Sequence, residues 1–386
     1  MILIMASLGG GVCPTMRAHL RVPMVNGLAT FPIPRRTTMR FYKQQHQFYC
    51  GVDLHAKTMH VCLVNQAGEV LVHRNLPTEP ERFLNAISPY RAHDVVVGVE
   101  CMFTWYWLAD LCAQHGIAFV LGHALYMKAI HGGKAKNDKI DSEKIAMLLR
   151  GGMLPEAYAY PHQMRATRDL LRRRMYLMHH RAESLAHIVN TASQYNLPAI
   201  SKKLTYAANR QGVAELFTEP SVRLSIEADL RLVDHFDEEL RRLELQLSRT
   251  AKVDDPQSYY LLRSVPGIGK ILALVLLYEI HDIRRFPKAG NFLSYARLVK
   301  CAHESAGKRL GTGGKKIGNA HLKWAFSEAT VLLMRQLPAA KEYVGALANK
   351  HGKGKALSIL SARLGRTVYL MLKRKEPFEA ERFLKL

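Results

Sequence analysis

Phe48-Tyr49-Cys50-Gly51-Val52-Asp53-Leu54-His55-Ala56-Lys57 is an apolar strand that delivers one acid, Asp53, to its end. A second apolar run follows over 59–65, then a turn at Gln66-Ala67-Gly68, then a third run over 70–74. Apolar runs of this length around a glycine-bearing turn predict an antiparallel meander. Asp53 then lies on the central strand of a small sheet. Any acid that works with it must be brought there by the fold.

The pattern continues with an amphipathic helix over 79–92 and a fourth strand, Val95-Val96-Val97-Gly98-Val99, ending at Glu100. An aromatic-rich helix over 105–114 leads to a fifth strand over 117–121. Three strands, then helix, strand, helix, strand, helix, is the order of an α/β ribonuclease H-like (RuvC-like) domain, placed at 46–160. Residues 1–45 precede it as a leader, expected to be disordered or an upstream start. Its first 38 residues hold four Arg, no acid and no apolar run of secretory length. Met39 is expected to be a sufficient beginning.

Near its end this segment carries Lys136-Asn137-Asp138-Lys139-Ile140-Asp141-Ser142. Spacing of three puts Asp138 and Asp141 on one helix face. An ordinary helix start has the same look, with Asp138 as cap and Asp141 favouring the dipole. Read with Asp53 and Glu100, the pair also has a chemical meaning. Strands one and four are neighbours in such a sheet, and the helix lies across their ends, so four acids converge. Clustered carboxylates repel unless cations neutralise them, and Mg²⁺ (or Mn²⁺) prefers oxygen ligands. Two such ions activate a nucleophile and stabilise the leaving oxygen in phosphodiester cleavage.

The whole chain agrees with a polyanionic partner. Its 386 residues carry 55 Lys and Arg against 32 Asp and Glu, a formal charge of +23, which makes DNA the first expectation. The six cysteines show no C-x-x-C spacing, so neither a zinc site nor a disulfide framework is signalled, and a reducing, cytoplasmic setting is expected. The apolar run at 271–280 is too short to span a membrane.

Residues 161–255 read as a helical, coiled-coil connector. Leu recurs at helical spacing among Arg and Glu, as in Leu240-Arg241-Arg242-Leu243-Glu244-Leu245. Such an arm suits pairing with a second copy, and it is expected to hold the C-terminal part of the chain away from the acids. Residues 256–386 form a mainly α C-terminal domain. In Pro266-Gly267-Ile268-Gly269-Lys270, a helix-hairpin-helix-like turn, Gly267, Gly269 and Lys270 offer N–H groups and a cation to a phosphate. The same residues also make an ordinary tight turn. Between Arg284 and Lys323 stand ten Lys and Arg, among them Arg285, Lys308, Arg309, Lys315 and Lys316, against the single acid Glu304. That density suits contact with a nucleic-acid backbone. A last amphipathic helix over 356–372 packs on this domain.

Taken in order, the motifs resemble the DEDD-type insertion-sequence transposases with a second, serine-bearing transposase domain, relatives of the bridge-RNA-guided recombinases. The resemblance covers 48–378. It rests on Gly51-Val52-Asp53-Leu54-His55-Ala56-Lys57, Gly98-Val99-Glu100, the Asp138/Asp141 stretch, Val265-Pro266-Gly267-Ile268-Gly269, Arg285-Phe286, Tyr295-Ala296-Arg297-Leu298-Val299 and Glu304-Ser305-Ala306-Gly307-Lys308. It implies that Asp53, Glu100, Asp138 and Asp141 hold the metal and that Ser305 attacks DNA. Lys308, Arg309, Lys315 and Lys316 would then stabilise the developing phosphorane charge. It further implies a noncoding guide RNA and a homodimer or homotetramer with a composite site. Without the resemblance, Ser305 reads as a loop serine. The sequence departs from the pattern in two places: no Gly follows Glu100 closely, and Ala306 separates Ser305 from Gly307.

Three other functions compete. A structure-specific RuvC-like endonuclease would need the acids but form no covalent intermediate. An actin-like kinase would place Gly and Ser or Thr where His55-Ala56-Lys57 stands. A purely binding protein leaves the acid set without a purpose.

Overall fold

A computed structural model describes residues 40–130, 137–305, 308–313 and 317–385. Its first part is built on five strands: β1 (Phe48–Leu54), β2 (Thr58–Asn65), β3 (Val70–Pro77), β4 (Val95–Glu100) and β5 (Ala118–Gly122). Their order is β3-β2-β1-β4-β5, with β1 in the centre. β1, β2 and β3 pair antiparallel, and β4 and β5 run parallel to β1. Four helices accompany them: α1 (Pro80–Ile87), α2 (Tyr106–Gln114), α3 (Ala124–Ile130) and α4 (Asp138–Arg150). The mixed sheet and its helices have the ribonuclease H-like form expected. α1 is shorter than its apolar period, because Pro89 has no N–H to continue the helical hydrogen bonds and a 3-10 turn follows instead. The sequence pattern did not single out α3.

The two faces of the sheet bury different partners. Cys50, Val52 and Leu54, with Val97 and Val99, pack with Phe83, Ile87, Leu108 and Cys112 of α1 and α2. The alternate positions, Tyr49 and Val96 among them, pack with Ile145, Ala146 and Leu149 of α4. On that second face Gly51 and Gly98 are paired neighbours. A Cβ on Gly51 would lie 2.2 Å from the Ser142 carbonyl oxygen and 2.4 Å from the Ala146 nitrogen. One on Gly98 would lie 2.5 Å from Leu149 Cδ1. These two glycines therefore let α4 settle directly on the strands.

Residues 1–39 of the expected leader lie outside the described residues. Residues 40–45 of it are part of the fold: the Tyr42 amide donates to Leu154 O at 3.0 Å, Phe41 bridges Pro155, and Arg40 Nη2 donates to Arg285 O at 3.0 Å.

The connector is a pair of long helices, α5 (His162–Gln194) and α6 (Pro220–Asp254). They run antiparallel, joined by Arg174–Glu244 at 2.7 Å, Arg181–Asp237 at 2.6 Å and His187–Asp229 at 2.5 Å. The far end has its own small core, including Ile188, Leu204, Phe217 and Ile226. One expectation needs correction. The arm does not carry the C-terminal part away, because a hairpin returns to its origin. Met164 and Leu171 near the start of α5 share a core with Leu247 and Ala251 near the end of α6, and with the C-terminal helices.

Those helices are α7 (Pro256–Arg263), α8 (Lys270–Ile280), α9 (Ala289–Tyr295), α10 (Ala320–Gln336), α11 (Pro338–His351), α12 (Lys353–Arg374) and α13 (Ala380–Lys385). A hairpin of β6 (Cys301–Ser305) and β7 (Lys308–Gly313) stands between α9 and α10. α8 is the central helix, buried from Leu272 to Ile280, and the one charge in that buried run is Glu279. Glu279 is 1% exposed and meets Arg168 at 3.0 Å, Arg172 at 2.8 Å and Asn319 Nδ2 at 2.7 Å. Burial alone would raise its pKa; the Arg172 and Arg168 contacts and the Asn319 hydrogen bond outweigh that and hold it at about 2. Asn319 also caps α10 by accepting from the Leu322 amide at 3.0 Å. Glu279 thus joins the arm's base to the point where the chain leaves the β6–β7 hairpin.

Candidate active site

The carboxyl edge of β1 and β4 gathers the acids. Val52 pairs with Val99, so the next residues, Asp53 and Glu100, are neighbours and share the face on which α4 lies. α4 begins at that edge because Gly51 contacts Ser142, one residue after Asp141. Asn137 caps the helix, accepting from the Ile140 amide at 2.8 Å. The capping role open to Asp138 is therefore filled by Asn137, and Asp138 and Asp141 occupy the first turn. Asp141 Oδ1 also meets Lys144 Nζ at 3.2 Å.

A histidine completes the cluster. His55 Nε2 lies 3.4 Å from Asp53 Oδ2 and 3.7 Å from Asp138 Oδ1. Donor atoms of Asp53, His55 and Asp138 fall within 4.8 Å of one another, close enough for one cation. Burial raises the pKa of Asp53, and the charges of Asp138 and Asp141 push it further up while His55 opposes them. A divalent cation would relieve that repulsion, so oxygen-rich donors of this kind fit one. Two more histidines border the acids. His60 pairs with Asp53 across β2, and its ring meets His73 edge-on at 5.2 Å. Burial and the neighbouring His73 lower the His60 pKa. His73 Nε2 lies 3.0 Å from the Lys139 carbonyl at the start of α4. Sequence reading passed over all three; the one local signal was His55, two residues past the acid. His60 and His73 arrive only through strand register.

Other expected residues fall elsewhere. Ser305 is the last residue of β6, and its backbone pairs with Lys308, while Arg309 pairs with Glu304. Lys315 and Lys316 lie outside the described residues. Gly269 caps α8 at an exposed turn, followed by Lys270, and Arg284 is exposed with Asp282 at 2.9 Å. Gly267 differs from expectation. It is buried, its amide donates to Gln336 Oε1 at 2.8 Å, and a Cβ there would lie 2.5 Å from the Leu333 nitrogen of α10. Its positive φ of 88° and this close packing, rather than a phosphate, explain the glycine. Arg285 also differs. Its guanidinium is shielded from solvent among Tyr158 at 4.0 Å, Phe286 at 4.6 Å and Tyr295 at 4.6 Å, so it supports the core through cation–π contact.

A five-stranded mixed sheet with acids at the carboxyl ends of two middle strands and on the helix facing them has the form of a ribonuclease H-like nucleic-acid enzyme. Comparison with known proteins narrows the class. A family model for IS110-type DEDD transposases matches residues 50–196, and a model for transposases of the IS116/IS110/IS902 family matches residues 259–345. With both matches in this order, the chain is a DEDD transposase of the IS110 family. The transposase for insertion sequence element IS1111A of Coxiella burnetii is 21% identical over 340 residues, covering 85% of this chain and 90% of that protein. An uncharacterized 43.6 kDa protein of insertion element IS110 from Streptomyces coelicolor is 30% identical over 129 residues, 33% of this chain and 31% of that one. An uncharacterized 44.8 kDa protein of insertion element IS116 from Streptomyces clavuligerus is 27% identical over 148 residues, 37% of this chain and 35% of that one.

Proposed function

We propose that this transposase cuts and rejoins DNA through a metal-dependent acid site and a serine nucleophile. The observation that carries the acid site is the meeting of Asp53, His55 and Asp138, with Asp141 one helical turn on and Glu100 on the adjoining strand. Asp53, Glu100, Asp138 and Asp141 would hold Mg²⁺ or Mn²⁺, and His55 would orient or share that set. The cations would polarise the scissile phosphate and acidify the attacking hydroxyl. Gly51 and Gly98 keep the two pairs of acids together by setting the depth of α4.

Ser305 is the nucleophile in this reading, supported by its place in the motif at the end of β6. Its oxygen would form a phosphoserine ester as the scissile P–O bond breaks and a DNA hydroxyl leaves. Attack by a hydroxyl of the partner strand would then reseal the DNA and release the serine. Lys308 and Arg309 follow it, and with Lys315 and Lys316 they supply charge for the phosphorane. Guidance by an element-encoded RNA rests on the resemblance and the charge of +23. A homodimer or homotetramer is supported by exposed Leu224, Leu232 and Leu245 on α6. The expected setting is the cytoplasm, and no described helix is long and apolar enough to cross a membrane.

The test is Asp53→Asn. It keeps the size of the side chain and removes the charge that a cation needs. Strand cleavage with Mg²⁺ should be abolished and DNA binding kept. Cleavage at the parental rate would end the metal-site reading.

A further inference from the structure

The loop that leaves Glu100 presents two apolar side chains to solvent: Phe103 is 81% exposed and Met102 50%. Scattered exposed apolar residues are common and carry no meaning alone. This loop differs because its backbone is held at several points. The Cys101 amide donates to Gly122 O at 2.9 Å, and the Met102 amide to Glu100 O at 2.7 Å. Thr104 Oγ1 donates to Leu54 O at 2.9 Å, fastening the loop to the end of β1 just after Asp53. Trp105 is buried, with the Arg165 guanidinium 4.6 Å over its ring. With both flanks fixed, Phe103 is not free to fold back into the core.

From these facts, and on the reading that the acids act on DNA, the geometry points to Phe103, with Met102 beside it, as a stacking platform for a nucleobase next to the scissile phosphate. Phe103 is three positions after Glu100, a reach of at most about 11 Å. That is on the order of three stacked base steps at 3.4 Å each. Phe and Met are side chains that proteins insert between base steps or lay under an unstacked base. Stacking of this kind reads no sequence, which suits a protein whose target is set elsewhere. It would hold the strand in register over the acids and turn the phosphate of the adjacent nucleotide toward them. Phe103 is thus a positioning residue that acts through the DNA.

The test uses the full chain in EDTA, so that it does not depend on cleavage. Fluorescence anisotropy would measure binding of a mixed-sequence single-stranded oligodeoxynucleotide and of an abasic strand of equal length that keeps every phosphate. The parent protein should prefer the base-bearing strand. Phe103→Ala should shrink that preference by about 5- to 140-fold, the range expected for loss of one stacked base. Affinity for the abasic strand and the salt slope should stay, and Phe103→Trp should keep the preference. An unchanged preference in Phe103→Ala, or an equal loss on both strands, overturns the proposal. So does a drop in oligomeric mass by light scattering with the preference intact, which would assign the loop to a second copy of the chain. The acid site is judged separately by Asp53→Asn, so either reading can fail without the other.

Discussion

Replacing Glu279 by Gln should loosen the joint between the arm and the C-terminal helices. Glu279→Gln keeps the shape and removes the charge. It leaves Arg168 and Arg172 facing a neutral amide in a site that is 1% exposed. The magnitude follows from the carboxyl itself. Its pKa is about 2 in the fold against an ordinary 4.5. That difference corresponds to roughly 3 kcal/mol at neutral pH. Breaking a buried pair from one side typically costs about 3 to 5 kcal/mol, which agrees. The sign is fixed by the depression: the contribution is full above about pH 4.5 and fades as pH falls toward 2. Calorimetry of parent and variant should show a melting temperature lowered by about 4 to 6 °C near neutrality. The gap should narrow at the acid end of the range. A gap under about 1 kcal/mol, as for an exposed pair, or a gap that ignores pH, would refute the view of Glu279 as a buried, charged tie.

Other perturbations address the site and its partners. Gly51→Ala places a methyl group against the backbone of α4 and should cost about 1 to 3 kcal/mol; cleavage should fall far more than DNA binding, and full activity would show that helix depth does not set the site. Binding of DNA should weaken with salt at a log–log slope of several units, from phosphate contacts along Arg284 to Lys323; a flat response would remove that stretch from the interface. If active sites are shared between copies, mixing Asp53→Ala with Ser305→Ala protein should restore partial cleavage and a covalent adduct. Persistent inactivity in a mixture that demonstrably co-assembles would mean that each chain uses its own serine.

What the sequence revealed was what neighbours along the chain decide. The alternation of Cys50, Val52 and Leu54 and the Gly-bearing turn at Gly68 yield β1 through β3 directly. Asp53 and Glu100 come with their strands. The losses occur where meaning depends on distant partners. Arg285 looked like a phosphate contact because Tyr158 and Tyr160, which help enclose it, lie over a hundred residues away in sequence. Gly267 looked like a phosphate turn because its neighbour on α10, Leu333, also lies far along the chain. His60 and His73 reach the site by register, and no spacing rule pairs them. The β6–β7 hairpin escaped notice because Lys308–Gly313 lacks the alternating apolar residues that mark a strand. Helix α10 was masked by the charge of the stretch in which it begins.

The antiparallel arm has a consequence for how this protein can vary. Residues 162–254 leave the body and come back to nearly the same place, so the start of α5 and the end of α6 lie far apart in the sequence and share one core in space. Equal lengths removed from α5 and α6, taken as whole heptads so that facing residues keep phase, would shorten the arm and leave both of its roots in place. The root is fixed by Glu279 and the shared core, while the far end rests on a small core of its own. Reach is therefore a quantity that can change without touching the chemistry. The arm works as an adjustable gauge, and its length is the natural variable by which relatives with the same acids could span different distances.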